Sequence, residues 1–422
     1  MSFLKDFPRL LESEYQRYWF RLRKSGVTKR ELREGPPSSW FLSHYHDVKK
    51  FLGERIRKSD YEFSYLLKTE LIKGPKKRVI YVPNNWDRIL VGCLREYLTK
   101  ITEPTLSDSL YSFRSGRGPL TAGLSIRKFL YKNRDKSLYV SQRDVSKYGD
   151  SIDINKLESI LTSTYEELLK DESAIFLLKK TLRWPIQNEN KEIITMSQGI
   201  PAGTPLVPLF ENLYLSKFDK EMDELQEKEN IFYGRYGDDI IWIGPDRALI
   251  NSLTQQLEVY CREHSLEVKN KKAIDFEFKK DERIKWLGNL LDNRGYFIAD
   301  RVEIKSFKTK FKIQLHKIWH KSEQWKILVD NNQDVLDIWL KEVRNELLMK
   351  NNPLLLKLLH LKDGDLRLKQ IDSWVREQIV HFLLKKNIKK KESWKIIRKH
   401  KLPSLNLQRR KYAVKLERLP HV

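Results

Sequence analysis

Two cysteines, Cys93 and Cys261, are all that the 422 residues contain, which excludes a disulfide framework and any Cys-rich zinc module. No run of about 18 apolar residues occurs, so no membrane span is expected. The opening segment MSFLKDFPRLLESEY lacks the apolar core of a secretory signal, and a cytoplasmic location is expected. There is no internal repeat, no low-complexity stretch, no Ser–His–Asp arrangement and no Walker-type phosphate loop. Acidic residues are also short: 57 Asp and Glu face 81 Lys and Arg, leaving a net charge of +24. Such a surplus calls for a polyanionic partner. Nucleic acid is favoured over membrane, because no basic amphipathic anchor sits at a terminus. What is present is core material: 40% apolar residues, with 11 Trp, 18 Tyr and 18 Phe. That content argues against wholesale disorder, and the length suits roughly two to three domains.

Apolar spacing predicts helices over 4–24 and 40–57, broken by the GPPSS stretch that begins at Gly35. A strand is expected at Arg78–Val82, entered through the basic loop KGPKK at 73–77. A helix follows over 86–101, where Ile89, Leu90, Cys93, Leu94, Tyr97 and Leu98 recur at spacings of three and four. Strands are expected at 138–140 and 231–243, and an amphipathic helix at 205–228. Beyond about residue 298 the pattern is all helical, with Ile304, Phe307, Phe311, Leu315 and Ile318 along one face.

The most informative segment is IFYGRYGDDIIWIG, residues 231–244. Two β-rich runs flank Gly237-Asp238-Asp239, which predicts a hairpin with adjacent carboxylates at its turn. A solvated Asp pair at a Gly-Asp turn is common. Two acids between Ile, Tyr and Trp repel one another, however, and a cation is a natural way to hold them. Upstream, Asp144 ends a short strand-like run and precedes Tyr148, Asp150 and Ile152. If the two strands are neighbours, Asp144 can face Asp238 across the sheet. Three converging carboxylates could then hold two Mg²⁺, or Mn²⁺, about 3.5–4 Å apart for in-line attack on a phosphate. Between them lies QGIPAGTPLVPLFENLYLSKFD, 198–219, a Gly- and Pro-rich loop leading into an apolar helix. Its Glu211 and Asp219 are expected to cap or be solvated.

Taken in order, these segments resemble the palm of reverse transcriptases. Asp144 with Asp150-Ser151-Ile152 resembles the first metal motif, Gln198-Gly199 through Asn212-Leu213-Tyr214 the template- and nucleotide-contacting motif, and Tyr236-Gly237-Asp238-Asp239 the Y-x-D-D signature. Further similarity lies in KKRVIYVPNNWDRILV (76–91), a basic fingers strand and helix, and in YSFRSGRG (111–118), with Ser112 where Gly is usual. LEVKNKKA (266–273) resembles the L-x-L-N-x-x-K-T segment, keeping Lys272 but with Lys269 for Asn and Ala273 for Thr. Trp286-Leu287-Gly288 stands where the F-L-G primer grip belongs.

The resemblance implies an α+β right-hand polymerase. Residues 1–70 would be a helical extension joining the fingers, 71–297 fingers and palm, 298–380 a helical thumb, and 381–422 a basic tail contacting RNA. It implies Asp144, Asp238 and Asp239 as catalytic metal ligands, with the Val145 carbonyl as an extra ligand and Lys272 as proton donor to pyrophosphate. Lys73, Lys76, Arg78, Gln198 and Gly199 would meet the nucleotide, and Arg114 and Arg117 the nucleic acid. The place five residues after Asp144 usually carries an aromatic ring that blocks a ribose 2′-OH. Here it is Gly149, so either ribonucleotides are admitted or Tyr148 has taken over the gate.

Two cysteines cannot build the zinc endonuclease of many group II intron enzymes, and the retron motifs N-A-x-x-H and V-T-G are missing. The remaining similarity is to bacterial defence-associated and abortive-infection reverse transcriptases. The implied function is RNA-directed DNA synthesis from dNTPs, on a template that is a noncoding RNA, with a second defence protein or a homo-oligomer as further partner. A template-independent or protein-primed polymerase, and a non-catalytic RNA-binding scaffold, are the alternatives. The charge is uneven: residues 381–422 hold 14 Lys or Arg against two Glu, a surplus of 12 that is half the total. Lys389, Lys390, Lys391, Arg398, Arg409 and Arg410 are the expected contacts there, with Trp394 and Tyr412 available for stacking on bases.

Overall fold

The computed structural model describes residues 2–25, 38–73, 76–164, 170–188, 190–269, 273–279, 282–298, 301–324, 339–343, 366–385, 391 and 395. The chain divides into two compact units, one of residues 1–118 with 138–277 and one of residues 119–137 with 278–422.

In the first unit, α1 (Phe3–Ser25), α2 (Ser38–Ser43), α3 (Tyr45–Lys58) and α4 (Asn85–Thr102) form a helical layer. Phe3, Phe7, Leu10 and Leu11 of α1 and Val48, Leu52 and Ile56 of α3 are buried, at the i, i+4, i+8 spacing that places them on one stripe of a helix. Helix α4 starts where its sequence provides a cap: the Asn84 side chain accepts from the Asp87 N–H at 2.8 Å, satisfying an otherwise orphaned donor. Asp87 is buried, yet it accepts from the Tyr61 hydroxyl at 2.8 Å and the Ser64 hydroxyl at 2.7 Å.

Strands β1 (Leu66–Lys73) and β2 (Lys76–Val82) form an antiparallel hairpin closed by the pair Lys73↔Lys76. Lys73, Lys76 and Lys77, expected in a basic loop before a single strand, are thus strand residues of a two-stranded ribbon. β1 also runs parallel to the short β4 (Ile186–Gln187), which pairs with β5 (Ile193–Ile194), in the order β2-β1-β4-β5. Further on, β3 (Leu138–Asp144), β6 (Phe232–Tyr236), β7 (Asp239–Gly244) and β8 (Ile274–Phe278) make a second sheet in the order β6-β7-β3-β8. Ile240 to Ile243 are all buried, so both faces of β7 are covered, which is why its sequence runs apolar instead of alternating. The sheet packs against α10 (Ser216–Lys228) and α11 (Arg247–Glu263). The single helix expected over 205–228 is two, α9 (Val207–Tyr214) and α10, meeting at Leu215. Smaller helices α6 (Tyr148–Ser151), α7 (Ile154–Thr164) and α8 (Glu172–Leu182) fill the segment after β3.

In the second unit, α5 (Pro119–Lys132) packs on the hairpin β9 (Ile284–Trp286) and β10 (Asn289–Leu291). The hairpin turn is Leu287–Gly288, with φ of 51° and 71°, as a two-residue turn with both central residues left-handed requires. Helices α12 (Arg301–Gln324) and α13 (Leu366–Leu384) follow, with residues 339–343 also helical. Of the five residues expected on one face, Phe307, Phe311, Leu315 and Ile318 of α12 are buried and Ile304 is half-buried. The rings of Phe307 and Phe311 meet Trp374 of α13 at 6.5 and 5.7 Å. Among the described residues no helix is long and apolar enough to cross a membrane.

Candidate active site

Strands β6 and β7 are joined by the two-residue turn Gly237–Asp238, with Tyr236 opposite Asp239. Gly237 has φ 63°, a conformation glycine adopts without the Cβ penalty. On its other side β7 pairs with β3, and the register places Asp144 directly opposite Asp239. The Val145 N–H then donates to the Asp238 carbonyl at 3.0 Å. Asp144, Val145, Asp238 and Asp239 are thereby collected at one end of the sheet by backbone pairing alone. The cross-strand partner of Asp144 is Asp239, with Asp238 in the adjoining turn.

Behind this turn lies a fully buried ion pair. The Arg235 guanidinium bonds both carboxylate oxygens of Asp219 at 2.8 and 2.5 Å, and also the carbonyls of Gly237 at 3.1 Å and Asn212 at 3.0 Å. The Tyr233 hydroxyl donates to Asp219 at 2.7 Å. Burial opposes the Arg235 charge, but Asp219 and its hydrogen bonds outweigh that and hold the guanidinium protonated. Asp219 is therefore no helix cap or solvated acid; it anchors the arginine that props the carboxylate turn.

Glu211, on α9, is also not a solvated acid. It is half-buried beside Gly149: a Cβ at Gly149 would lie 3.0 Å from its Oε1. Burial first, then the charges of Asp238 and Asp150, push its carboxyl up to about 7. A carboxyl raised in the fold holds its proton longer than in the unfolded chain, so stability falls as pH rises between the ordinary value of 4.5 and about 7 and then levels off. Glu211→Gln removes that penalty. Thermal unfolding in chelator should show it stabilising the chain more at pH 8 than at pH 5; an equal shift at both would speak against a charged, crowded Glu211.

The loop before α9 is locked to the segment after Asp144. Gly199 has φ 83°, donates its N–H to the Ile152 carbonyl at 2.8 Å, and leaves room for a Cβ only 2.7 Å from the Asp150 carbonyl. Gly199→Ala is expected to destabilise by about 1–3 kcal/mol in urea denaturation. Gly118→Ala, where a Cβ meets nothing within 4 Å, is the control and should be near neutral. Contact with β2 comes instead from Ala202 and Gly203. The Tyr81 N–H donates to the Ala202 carbonyl at 2.7 Å, and Gly203 (φ 99°) lies against Ile80.

Other expected residues are distributed as follows. Tyr148 is buried in the core, with its hydroxyl on the Glu211 carbonyl at 2.5 Å, so its ring has not moved into the place of the missing gate. Gln198 is exposed and donates to the Ser151 carbonyl at 3.3 Å. Arg78 is exposed on β2. Arg114, expected at nucleic acid, is turned inward: its side chain bonds Glu103 at 2.9 Å and the carbonyls of Leu110 and Ser107. It stitches its own loop, adding a second donor to the Ser107 carbonyl, which already accepts the Leu110 N–H, and one to the Leu110 carbonyl. Arg117 pairs with Asp108. Ser112, the departure from the usual Gly, donates to the Asn212 side chain at 2.7 Å, and Asn212 donates back to the Ser112 carbonyl at 2.9 Å. Trp286 ends β9 opposite Asn289, and Leu287 and Gly288 form the β9–β10 turn of the second unit. Lys391 is exposed; Lys272, Lys389, Lys390, Arg398, Arg409 and Arg410 lie outside the described residues.

A residue that the sequence marked only as a departure, Lys269, reaches the carboxylates. Its ammonium bonds Asp144 and stands 3.4 Å from the Val145 carbonyl. Three carboxylates and a backbone carbonyl, without thiol or imidazole, suit a hard divalent cation, and Lys269 already stands as a cation on two of those donors. Among the described residues no group of three or more acid, His or Cys side chains is placed to hold one ion.

An antiparallel sheet that presents two carboxylates on a hairpin turn and a third at the end of the neighbouring strand defines the palm of a right-hand nucleic-acid polymerase. The profile of the family described as reverse transcriptase (RNA-dependent DNA polymerase) matches residues 68–291, and the chain belongs to that family. It is 27% identical over 180 residues to the COX1/OXI3 intron 2 protein of Saccharomyces cerevisiae, covering 42% of this chain and 20% of that protein. Nuclear intron maturase 4, mitochondrial, of Arabidopsis thaliana is 26% identical over 145 residues, 34% of this chain and 17% of the maturase. The chain thus spans about a fifth of the length of these relatives. Telomerase from Candida tropicalis with a TWJ fragment of telomeric RNA superposes with a TM-score of 0.49 at 15% identity, covering 89% of this chain and 64% of that one.

Proposed function

We propose that this protein is an RNA-directed DNA polymerase that transfers nucleotides at the Asp144–Asp238–Asp239 end of the sheet. The observation that carries this is the register of β3 on β7, which sets Asp144 opposite Asp239 with Asp238 in the turn. Asp144, Asp238, Asp239 and the Val145 carbonyl would hold Mg²⁺, or Mn²⁺. Bound there, divalent ions activate the attacking hydroxyl and stabilise the leaving pyrophosphate. The chain's own part is to hold those oxygens on a braced turn, and to offer Lys73, Lys76 and Arg78 on the β1–β2 ribbon to the triphosphate. Lys272 would supply the proton to pyrophosphate. Primer extension by the full chain on a defined RNA template, with dNTPs and rNTPs in separate reactions, tests this. Template-dependent dNTP addition is expected; folded protein that adds nothing on any template would refute it.

A second reading, incorporation of ribonucleotides with or without a template, is favoured by the bare Gly149. The same assay separates the two by its nucleotide sets.

We further propose that the template is a dedicated RNA held in part by the basic end of the chain, and that the setting is bacterial antiphage defence. Removing residues 386–422 should weaken RNA binding and flatten the slope of log K against log salt, since each released phosphate contact contributes about 0.7–0.9 to that slope. An unchanged slope would remove the tail from the interface. For the defence role, phage should plate less efficiently on cells expressing the wild type than on cells expressing Asp238→Ala; equal plating would refute it.

A further inference from the structure

We infer that Lys269 is a resident cation of this site, filling the place between the Asp144 carboxylate and the Val145 carbonyl until a divalent ion displaces it. The inference rests on the polymerase reading above.

The backbone of Lys269 is held firmly, and only its stem is free. Val268 bridges Val145, the Ser146 N–H donates to the Glu267 carbonyl at 2.7 Å, and the Lys269 N–H donates to the Asp144 carbonyl at 2.8 Å. This short ladder pins the lysine Cα beside Asp144 and leaves a four-carbon side chain to decide where the charge goes. In this structure the ammonium goes inward, to Asp144 and toward Val145.

Charge explains why. Asp144 is buried, with 6% of its surface exposed, and Asp239 stands opposite it. Asp238 and Asp150 already act on Glu211 strongly enough to help raise its carboxyl. Of the other cations at this sheet, Arg235 is engaged by Asp219 and Arg143 is bidentate to Asp275 at 2.9 Å. A buried carboxylate without a positive partner is costly, and an ammonium with three donors is a compact partner for one carboxylate and one carbonyl.

An ammonium bonded to Asp144 and within reach of the Val145 carbonyl repels a dication arriving at the same donors. Lys269 is part-exposed, at 31% of its side-chain surface against 9% for Asp144, so the stem has a way out to solvent while Asp144 stays in place. Exchange therefore means that the lysine swings out and the ion enters. Two consequences follow. The charge of Asp144 is balanced in metal-free protein, and metal affinity is set partly by the lysine it must displace.

The test uses the full-length chain, with Mn²⁺ as probe and two readouts that need no catalysis. Mn²⁺ binding is followed by paramagnetic resonance, and the relevant component is the one lost in Asp238→Ala plus Asp239→Ala. Lys269→Asn and Lys269→Ala should bind Mn²⁺ about tenfold tighter than wild type, the scale expected for one unit charge within a few ångström of a dication. Lys269→Arg should stay near wild type. In parallel, amine-reactive labelling is quantified by mass spectrometry. Lys269 should label several-fold faster with saturating Mn²⁺ than in chelator, and in Asp144→Asn it should label fast in both. Equal Lys269 labelling with and without bound Mn²⁺, or no gain in affinity in Lys269→Asn, would overturn the inference, as would absence of the site-specific Mn²⁺ component in wild type and Lys269→Asn alike. Failure of nucleotide addition while the Mn²⁺ and labelling results hold would count against the polymerase reading and leave the exchange standing.

Discussion

Replacing Asp238 and Asp239 together by alanine is expected to reduce nucleotide addition by about three orders of magnitude or more, while the chain remains folded. The electrostatic stabilisation supplied at such a site is worth several kcal/mol, at about 1.4 kcal/mol per tenfold in rate. Both residues are half-exposed at the hairpin tip, and the strand register on either side is carried by backbone bonds. Thermal unfolding of the variant should therefore stay close to wild type, which separates loss of chemistry from loss of fold. Primer extension measures the first and circular dichroism the second. Undiminished addition would remove these carboxylates from the reaction. The change also relieves Glu211 of a neighbouring charge that helps raise its carboxyl, so the pH dependence of stability attributed to Glu211 should shrink in the same variant.

Arg235→Ala is expected to destabilise the chain by about 3–5 kcal/mol, the range for stripping one partner from a buried ion pair. Arg235 and Asp219 are each 0% exposed, so the remaining carboxylate would be left in the core with the Tyr233 hydroxyl as donor. The Gly237 and Asn212 carbonyls would lose their donor as well. Lysine cannot span Asp219, Gly237 and Asn212 from one point charge, so Arg235→Lys should recover only part of the loss. Arg235→Met with Asp219→Leu should recover more of it, because no bare charge is then buried. Urea denaturation gives the ranking. A cost for Arg235→Ala below about 1 kcal/mol would show that the pair does not brace the turn.

Much of the site was legible in local sequence because hairpins are local. Gly237-Asp238 between β-rich runs dictates a tight turn, so the adjacent carboxylates and their exposure at a sheet end follow without knowledge of the rest. The spacing in α1, α3, α4 and α12 likewise maps onto buried faces, since helix periodicity needs no partner to be read. Less legible were residues whose role depends on what lies opposite. Arg114 reads as one more cation in a basic stretch, yet in the fold it is enclosed by its own loop. Tyr148 reads as the nearest ring to a missing gate, yet its hydroxyl is drawn to the Glu211 carbonyl and the ring enters the core. Glu211 and Asp219 look alike on one amphipathic stretch. The break at Leu215 separates them, sending one toward Gly149 and the other to Arg235.

The sequence by itself determined the charge surplus, the carboxylate hairpin and the order of motifs that marks the family, because each is composition or short-range pattern. Only the tertiary structure decided that Asp144 faces Asp239, that Arg235 braces the turn from beneath, that Glu211 takes the room beside Gly149, and that Lys269 supplies the cation on Asp144. Asp144 with Asp239, Arg235 with Asp219, Glu211 with Gly149 and Lys269 with Asp144 are all separated in the chain, and their contact is set by strand register and helix packing. In a linear pattern Lys269 in place of the usual Asn is a departure without a role. It becomes informative once the backbone ladder from Val145 to Val268 brings it onto a buried acid.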